Sequence, residues 1–148
     1  MINLETATGT EALGAAVAAL LQPGDVVALY GDLGAGKTTL SRGLISGLFG
    51  TPTEVPSPTY NLVQVYETPD FDLWHFDLYR LETPDELMEL GWEETQDGVA
   101  LIEWPDHAGS HLPAYRLDIS LEIVGETRTA HLEGRGEVWQ SRLNGFAI

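Results

Sequence analysis

Residues 31–38 read Gly-Asp-Leu-Gly-Ala-Gly-Lys-Thr, a complete G-x-x-x-x-G-K-[ST] pattern. No other stretch constrains the chain as tightly, because the flanking residues supply the setting the pattern requires, a strand before it and a helix after it. Residues 25–30 form a short apolar run suited to a buried parallel strand. Residues 38–49 have helical spacing, with Leu40, Leu44, Ile45 and Leu48 on one face. The glycines let the backbone curl so that its N–H groups point at phosphate oxygens. The helix adds the positive end of its dipole. Lys37, the only lysine in the chain, supplies a mobile charge for β- and γ-phosphates, and the Thr38 hydroxyl is placed to ligate Mg²⁺. At ordinary glycine usage the pattern arises by accident in well under ~1% of chains this long. Nucleotide binding is the expectation.

A length of 148 residues predicts one compact domain over 1–148 that buries a substantial core without staples. There is no cysteine, so disulfide and thiol chemistry are excluded. The N-terminus lacks the basic and apolar regions of a signal peptide, and no run approaches ~18 apolar residues. A soluble, cytoplasmic protein without membrane contact is expected. The net charge of −16 opposes nucleic acid and anionic lipid, since backbone binding depends on neutralising phosphates. Only seven basic residues exist, one of them Lys37, so direct, independent nucleic-acid binding is not expected. The acidity fits either a solubilising surface or a docking face for a basic partner.

Residues 2–5 suggest a short strand and 10–21 an alanine-rich amphipathic helix, with Thr8 or Thr10 as its cap. A proline-rich loop spans 50–58. Strands are predicted over 61–67 and 71–79, the second with Leu73, His75, Asp77 and Tyr79 on one face. Residues 83–90 read as a short helix, with Thr83, Pro84 and Glu86 forming a capping-box pattern. Residues 98–103 form a continuous apolar strand ending in an acid. Residues 117–124 and 128–132 suggest an antiparallel pair around Gly125-Glu126, and 137–143 a terminal helix. The expected fold is a three-layer α/β, P-loop NTPase-like domain: a central, mainly parallel sheet with an antiparallel C-terminal edge.

A phosphate loop only holds a nucleotide; hydrolysis or transfer also needs an acid near Mg²⁺ and a group that orients the nucleophile. Glu103 and Asp77 both close predicted strands, where an α/β site lies. Pro56-Ser57-Pro58-Thr59 is a stiff loop that can hold two hydroxyls toward a γ-phosphate, or serve as a plain connection. Trp104 suits a site rim or a packed position. His75 reads as a structural histidine, and Arg80, Arg128 and Arg135 as phosphate contacts or surface ion pairs. No spacing suggests zinc, and no serine or cysteine nucleophile pattern is present.

Taken together, the phosphate loop running on to Thr39, Ser57-Pro58-Thr59-Tyr60, His75-Phe76-Asp77-Leu78-Tyr79-Arg80 and Ile102-Glu103-Trp104-Pro105 resemble the TsaE (YjeE) family, in family order and spacing. The resemblance implies a small ATPase that supports threonylcarbamoyladenosine formation at position 37 of tRNAs reading ANN codons. Its partners would be TsaD and TsaB, and its cofactors ATP and Mg²⁺. Carried over by residue, Gly34, Ala35, Gly36, Lys37, Thr38 and Thr39 surround the phosphates. Thr38 and Glu103 ligate Mg²⁺, and Asp77 is the second catalytic acid beside Lys37 and Glu103. Ser57 and Thr59 lie in a switch-like loop, Trp104 next to nucleotide or partner, Thr6 on the adenine side, and Arg128 near the nucleotide. Two other readings compete: a P-loop small-molecule kinase, against which the absence of an arginine-rich lid segment argues, and a nucleotide-gated binding module with negligible hydrolysis, against which Asp77 and Glu103 argue.

Overall fold

The computed structural model describes residues 2–56 and 62–146. Seven strands form one sheet in the order β1-β7-β6-β2-β5-β4-β3. They are β1 (Ile2–Leu4), β2 (Val26–Tyr30), β3 (Val63–Glu67), β4 (Asp72–Asp77), β5 (Val99–Glu103), β6 (Arg116–Val124) and β7 (Thr127–Arg135). The helices are α1 (Ala7–Ala18), α2 (Lys37–Phe49), α3 (Glu86–Glu89) and α4 (Glu137–Leu143), with 3-10 helices at Trp92–Asp97 and Pro105–His111. Neighbours in β6-β2-β5-β4 are paired in parallel, whereas β3, β7 and β1 pair antiparallel. The sheet is therefore antiparallel at both edges, and the N-terminal strand β1 lies outside the C-terminal hairpin. The strand expected over 61–67 is present as β3, but the expectation of a single antiparallel edge missed its pairing with β4, which returns beside it after the short turn at 68–71.

Strand periodicity divides the side chains between two faces. Val27, Leu29, Leu73, Val99, Leu101, Leu117 and Ile119 pack with Leu13, Val17, Leu40, Leu44 and Ile45 of α1 and α2. Trp139 of α4 joins the same core. On the opposite face Val26, Phe76, Ala100 and Ile102 meet Leu81, Leu87 and Ala108 from short helical turns. Beyond them that face of β6 and β7 carries a charged cluster: buried Asp118 accepts from Arg116 at 2.8 Å and also from Arg135. Helices α1 and α2 lie nearly backbone to backbone. A Cβ on Gly14 would sit 2.7 Å from the Leu44 nitrogen, and one on Gly43 would sit 2.6 Å from Glu11 Cα.

Several local expectations need correction. Helix α1 starts earlier than predicted, and its cap is Thr6 rather than Thr8 or Thr10. Thr6 is extended (φ −138°, ψ 163°) and its Oγ1 accepts from the Gly9 amide at 3.1 Å. Thr10 is buried and its hydroxyl donates back to the Thr6 carbonyl. The end of the predicted helix, residues 19–21, is a tighter turn, with i→i+3 bonds from Leu20 to Val17 and Leu21 to Ala18.

The capping-box helix predicted over 83–90 shrinks to α3. Amides 86, 87, 88, 90 and 91 each bond the carbonyl three residues back, and no side chain caps the N-terminus. Buried Leu81 and Leu87 pin the segment at both ends, and Gly91 (φ 87°) then swings Trp92 onto Phe76, 5.5 Å away. Tertiary packing thus overrides the local helix signal. Strand β4 stops at Asp77, leaving Tyr79 exposed. The hairpin turns at Gly125-Glu126 as expected, although β7 runs on to Arg135. Among the described residues no helix is long and apolar enough to cross a membrane.

Candidate functional site

The site is built on the carboxyl ends of the parallel strands. β2 delivers the chain into the glycine-rich loop, and α2 leaves it. Gly31 is left-handed (φ 152°), and a Cβ there would stand 2.8 Å from the Leu121 carbonyl oxygen, so the loop enters against β6 where no side chain fits. Gly36 (φ 106°) reverses the chain immediately before α2. The first turn of α2 thus begins at Lys37, with the Gly36 carbonyl accepting from the Leu40 amide at 2.9 Å. The first amides of a helix lack intrahelical partners and so favour an anion at this end.

Lys37 is nearly buried. Its ammonium donates to the Gly31 carbonyl and, at 3.2 Å, to that of Asp32, and lies 4.0 Å from the centre of the Trp104 ring. Burial pushes its pKa below the usual lysine value, against the opposing pull of Glu103, Asp77 and Asp32. The group is a cation held among fixed dipoles and carboxylates, on a flexible stem.

The two acids lie side by side. β4 and β5 are parallel and in register, with Asp77 opposite Glu103 and His75 opposite Leu101. Period-two alternation puts His75, Asp77 and Glu103 on the face that α2 covers. Glu103 is almost wholly buried; its Oε1 accepts from the Thr38 hydroxyl at 3.3 Å and its Oε2 pairs with His75 Nε2 at 2.7 Å. Asp77 Oδ1 accepts from the Tyr79 amide at 3.1 Å.

Trp104 follows with left-handed backbone (φ 59°, ψ 53°). A residue before proline normally stays extended, so this conformation stores on the order of 1–3 kcal/mol. It turns the indole over Lys37 and against Tyr79, whose ring lies 4.9 Å away.

Two adjoining cavities result. One, of about 290 Å³, is lined by Gly34, Gly36, Lys37, Thr38, Thr39, Asp77, Glu103 and Trp104, with Leu33 at its mouth. The other, of about 180 Å³, is lined by Thr6, Thr10, Gly34, Gly36, Thr39, Glu126 and Arg128. Arg128 Nη2 donates to the Gly34 carbonyl at 3.2 Å, tying β7 to the loop. Ten of the thirteen site residues named from sequence therefore line one continuous depression. Ala35 instead points into the core beneath the loop. Ser57 and Thr59 lie outside the described residues. Arg80 is exposed, and Arg135 lies with Asp118 on the opposite sheet face.

Sequence reasoning missed two contributors. His75, read as structural, bonds directly to Glu103, and Tyr79 backs Trp104. The signal for His75 was its place two residues before Asp77 on one strand face. Oxygen donors from Thr38, Glu103 and Asp77 suit a hard cation. Among the described residues no three or more His, Asp or Glu side chains are grouped to hold a metal alone.

A family model, "Threonylcarbamoyl adenosine biosynthesis protein TsaE", matches residues 4–130. The protein from Rickettsia felis called tRNA threonylcarbamoyladenosine biosynthesis protein TsaE is 41% identical over 129 residues, covering 86% of this chain and 75% of its own length. The Bacillus subtilis protein of that name is 41% identical over 119 residues, covering 79% of this chain and 73% of its own length. The crystal structure of Bacillus subtilis YdiB is similar at a TM-score of 0.78 and 31% identity, over 95% of this chain and 88% of that one. With a family match over residues 4–130 and relatives about 40% identical, this chain belongs to the TsaE family of threonylcarbamoyladenosine biosynthesis proteins.

Proposed function

We propose that this chain is a Mg²⁺-dependent ATPase that supports threonylcarbamoyladenosine formation on tRNAs reading ANN codons, acting with TsaD and TsaB in the cytoplasm. We read the fold as a three-layer P-loop NTPase domain spanning 1–148, with the second helical layer reduced to short turns. The observation that carries the reading is the Thr38–Glu103 hydrogen bond at 3.3 Å, at the mouth of a glycine-rich loop. It brings the loop hydroxyl and a strand-end carboxylate together from 65 residues apart in sequence.

In this reading the loop amides and the α2 N-terminus bind the phosphates. Lys37 exchanges the Gly31 and Asp32 carbonyls for β- and γ-phosphate oxygens. Thr38 and Glu103 hold Mg²⁺, which when bound neutralises charge on the phosphates. Asp77, beside Glu103, orients the attacking water. Thr6 and Arg128 border the smaller cavity, which takes the nucleoside side, although the Thr6 hydroxyl oxygen is already engaged by its helix cap. Trp104 shields Lys37 and the phosphates from solvent. The acidic surface leaves tRNA to the partners.

A kinase acting on a small molecule is the alternative reading, and a nucleotide-gated module is a third. Phosphate release from Mg-ATP, measured with the chain alone and with TsaD and TsaB added, separates them. Stimulated release without a phosphorylated acceptor supports the ATPase; a stoichiometric phosphorylated product supports the kinase; no release under either condition supports the module.

A further inference from the structure

We propose that His75 is a positioning residue for Glu103, fixing which carboxylate oxygen faces the nucleotide site. The proposal rests on the reading that Thr38 and Glu103 hold the cation. His75 is fully buried on β4, and its one hydrogen bond in the described structure runs from Nε2 to Glu103 Oε2 at 2.7 Å. An ionised carboxylate only accepts, so Nε2 is the nitrogen that donates. The other oxygen, Oε1, is left to the Thr38 hydroxyl. Each oxygen thus has a different partner, and the carboxyl group cannot rotate without breaking one.

A histidine kept for core stability would be expected to satisfy both ring nitrogens, since a buried polar atom without a partner is costly. Here Nδ1 has no hydrogen-bond partner among the described residues. Leucine would fill an interior position between Leu73 and Phe76 without that penalty. The polarity of His75 is therefore explained by its contact with Glu103. The geometry is that of an outer-shell group orienting a ligating oxygen, whose loss typically weakens metal binding 10–100-fold.

The test uses Mn²⁺ as the probe, with free Mn²⁺ followed by electron paramagnetic resonance in the presence of protein saturated with ADP. The variants are His75→Gln, whose amide nitrogen reaches about as far as Nε2, and His75→Asn and His75→Leu, which cannot reach Glu103. Metal-free ADP affinity is measured in EDTA for each. Mn²⁺ affinity should fall about 10–100-fold in the Asn and Leu variants and stay near wild type in the Gln variant, with metal-free ADP affinity unchanged throughout. If His75→Leu does not fold, the Asn and Gln variants decide by the same contrast. Wild-type Mn²⁺ affinity in His75→Asn, or equal losses in the Asn and Gln variants, overturns the positioning role. No protein-dependent Mn²⁺ binding in the wild type overturns the cation reading itself, and this proposal with it.

Discussion

Gly43→Ala is the perturbation that connects packing to the site. The new Cβ would lie 2.6 Å from Glu11 Cα and 2.7 Å from its carbonyl carbon. Carbon atoms rest at about 3.5–4.0 Å, so the helices must part by roughly 0.9 Å or more. Both neighbours are backbone atoms of α1, which cannot rotate away as a side-chain tip would. Overpacking costs about 1–3 kcal/mol, and a Cβ set against backbone atoms that cannot turn aside falls in the upper half of that range, about 2–3 kcal/mol. The helix-propensity gain of alanine over glycine, about 1 kcal/mol, offsets part of that. The net expectation is a loss of about 1–2 kcal/mol, or roughly 2–8 °C in Tm for a chain of this size. Because α2 begins at Lys37, the same displacement disturbs the loop, and nucleotide affinity should fall together with stability. Gly9→Ala is the control: its Cβ would meet nothing nearer than 3.7 Å, so it should be neutral or stabilising. Urea denaturation and calorimetric titration with ADP measure both effects. A Gly43→Ala protein as stable as wild type, with unchanged ADP affinity, would refute the claim that backbone contact between α1 and α2 sets the position of the loop.

Further outcomes follow from the site. Lys37→Ala should retain the fold but lose tens- to hundreds-fold in ATP affinity by calorimetry, on the order of 2–3 kcal/mol for a charge-assisted contact. Burial lowers the Lys37 pKa, so the folded protein releases this proton before the unfolded chain does. Stability therefore rises as pH climbs through the folded pKa toward the unfolded value of about 10.4, and any advantage of Lys37→Met at pH 7 should shrink over that window in denaturation curves. The chain alone should show no appreciable tRNA binding at physiological salt in a filter or anisotropy assay, since its net charge is −16. Binding to a TsaD–TsaB complex should differ between ATP and ADP in a pull-down, and equal affinity in both would reject nucleotide gating.

Much of the site was legible because its parts are local motifs. The loop is contiguous, and Glu103 and Asp77 each close an apolar or alternating strand. The family motifs placed them in order. The depression shared by the loop, Thr6 and Arg128 depends on β1 and β7 reaching the loop from opposite ends of the chain, which no local pattern reports. Trp104 takes a left-handed conformation that the following proline disfavours, and no residue pattern signals it. Helix α3 carried a strong capping signal, yet the burial of Leu81 and Leu87 and the turn at Gly91 decided its form. The Tyr30, Arg116, Asp118 and Arg135 cluster stayed hidden because its members become neighbours only once β2, β6 and β7 are paired. Residues bonded across parallel strands, as His75 is to Glu103, depend on register, which alternation alone does not supply.

The central claim is that Glu103 and Thr38 serve Mg²⁺-dependent ATP hydrolysis, and single-turnover phosphate release tests it most directly. The measurement compares wild type with Glu103→Gln, in Mg²⁺ and in EDTA, with TsaD and TsaB present. Release should require Mg²⁺, and the Gln variant should lose hydrolysis far more than ATP binding, because carboxylate charge matters most where charge redistributes in the transition state. Hydrolysis by Glu103→Gln at the wild-type rate, or release that persists in EDTA, would contradict the account.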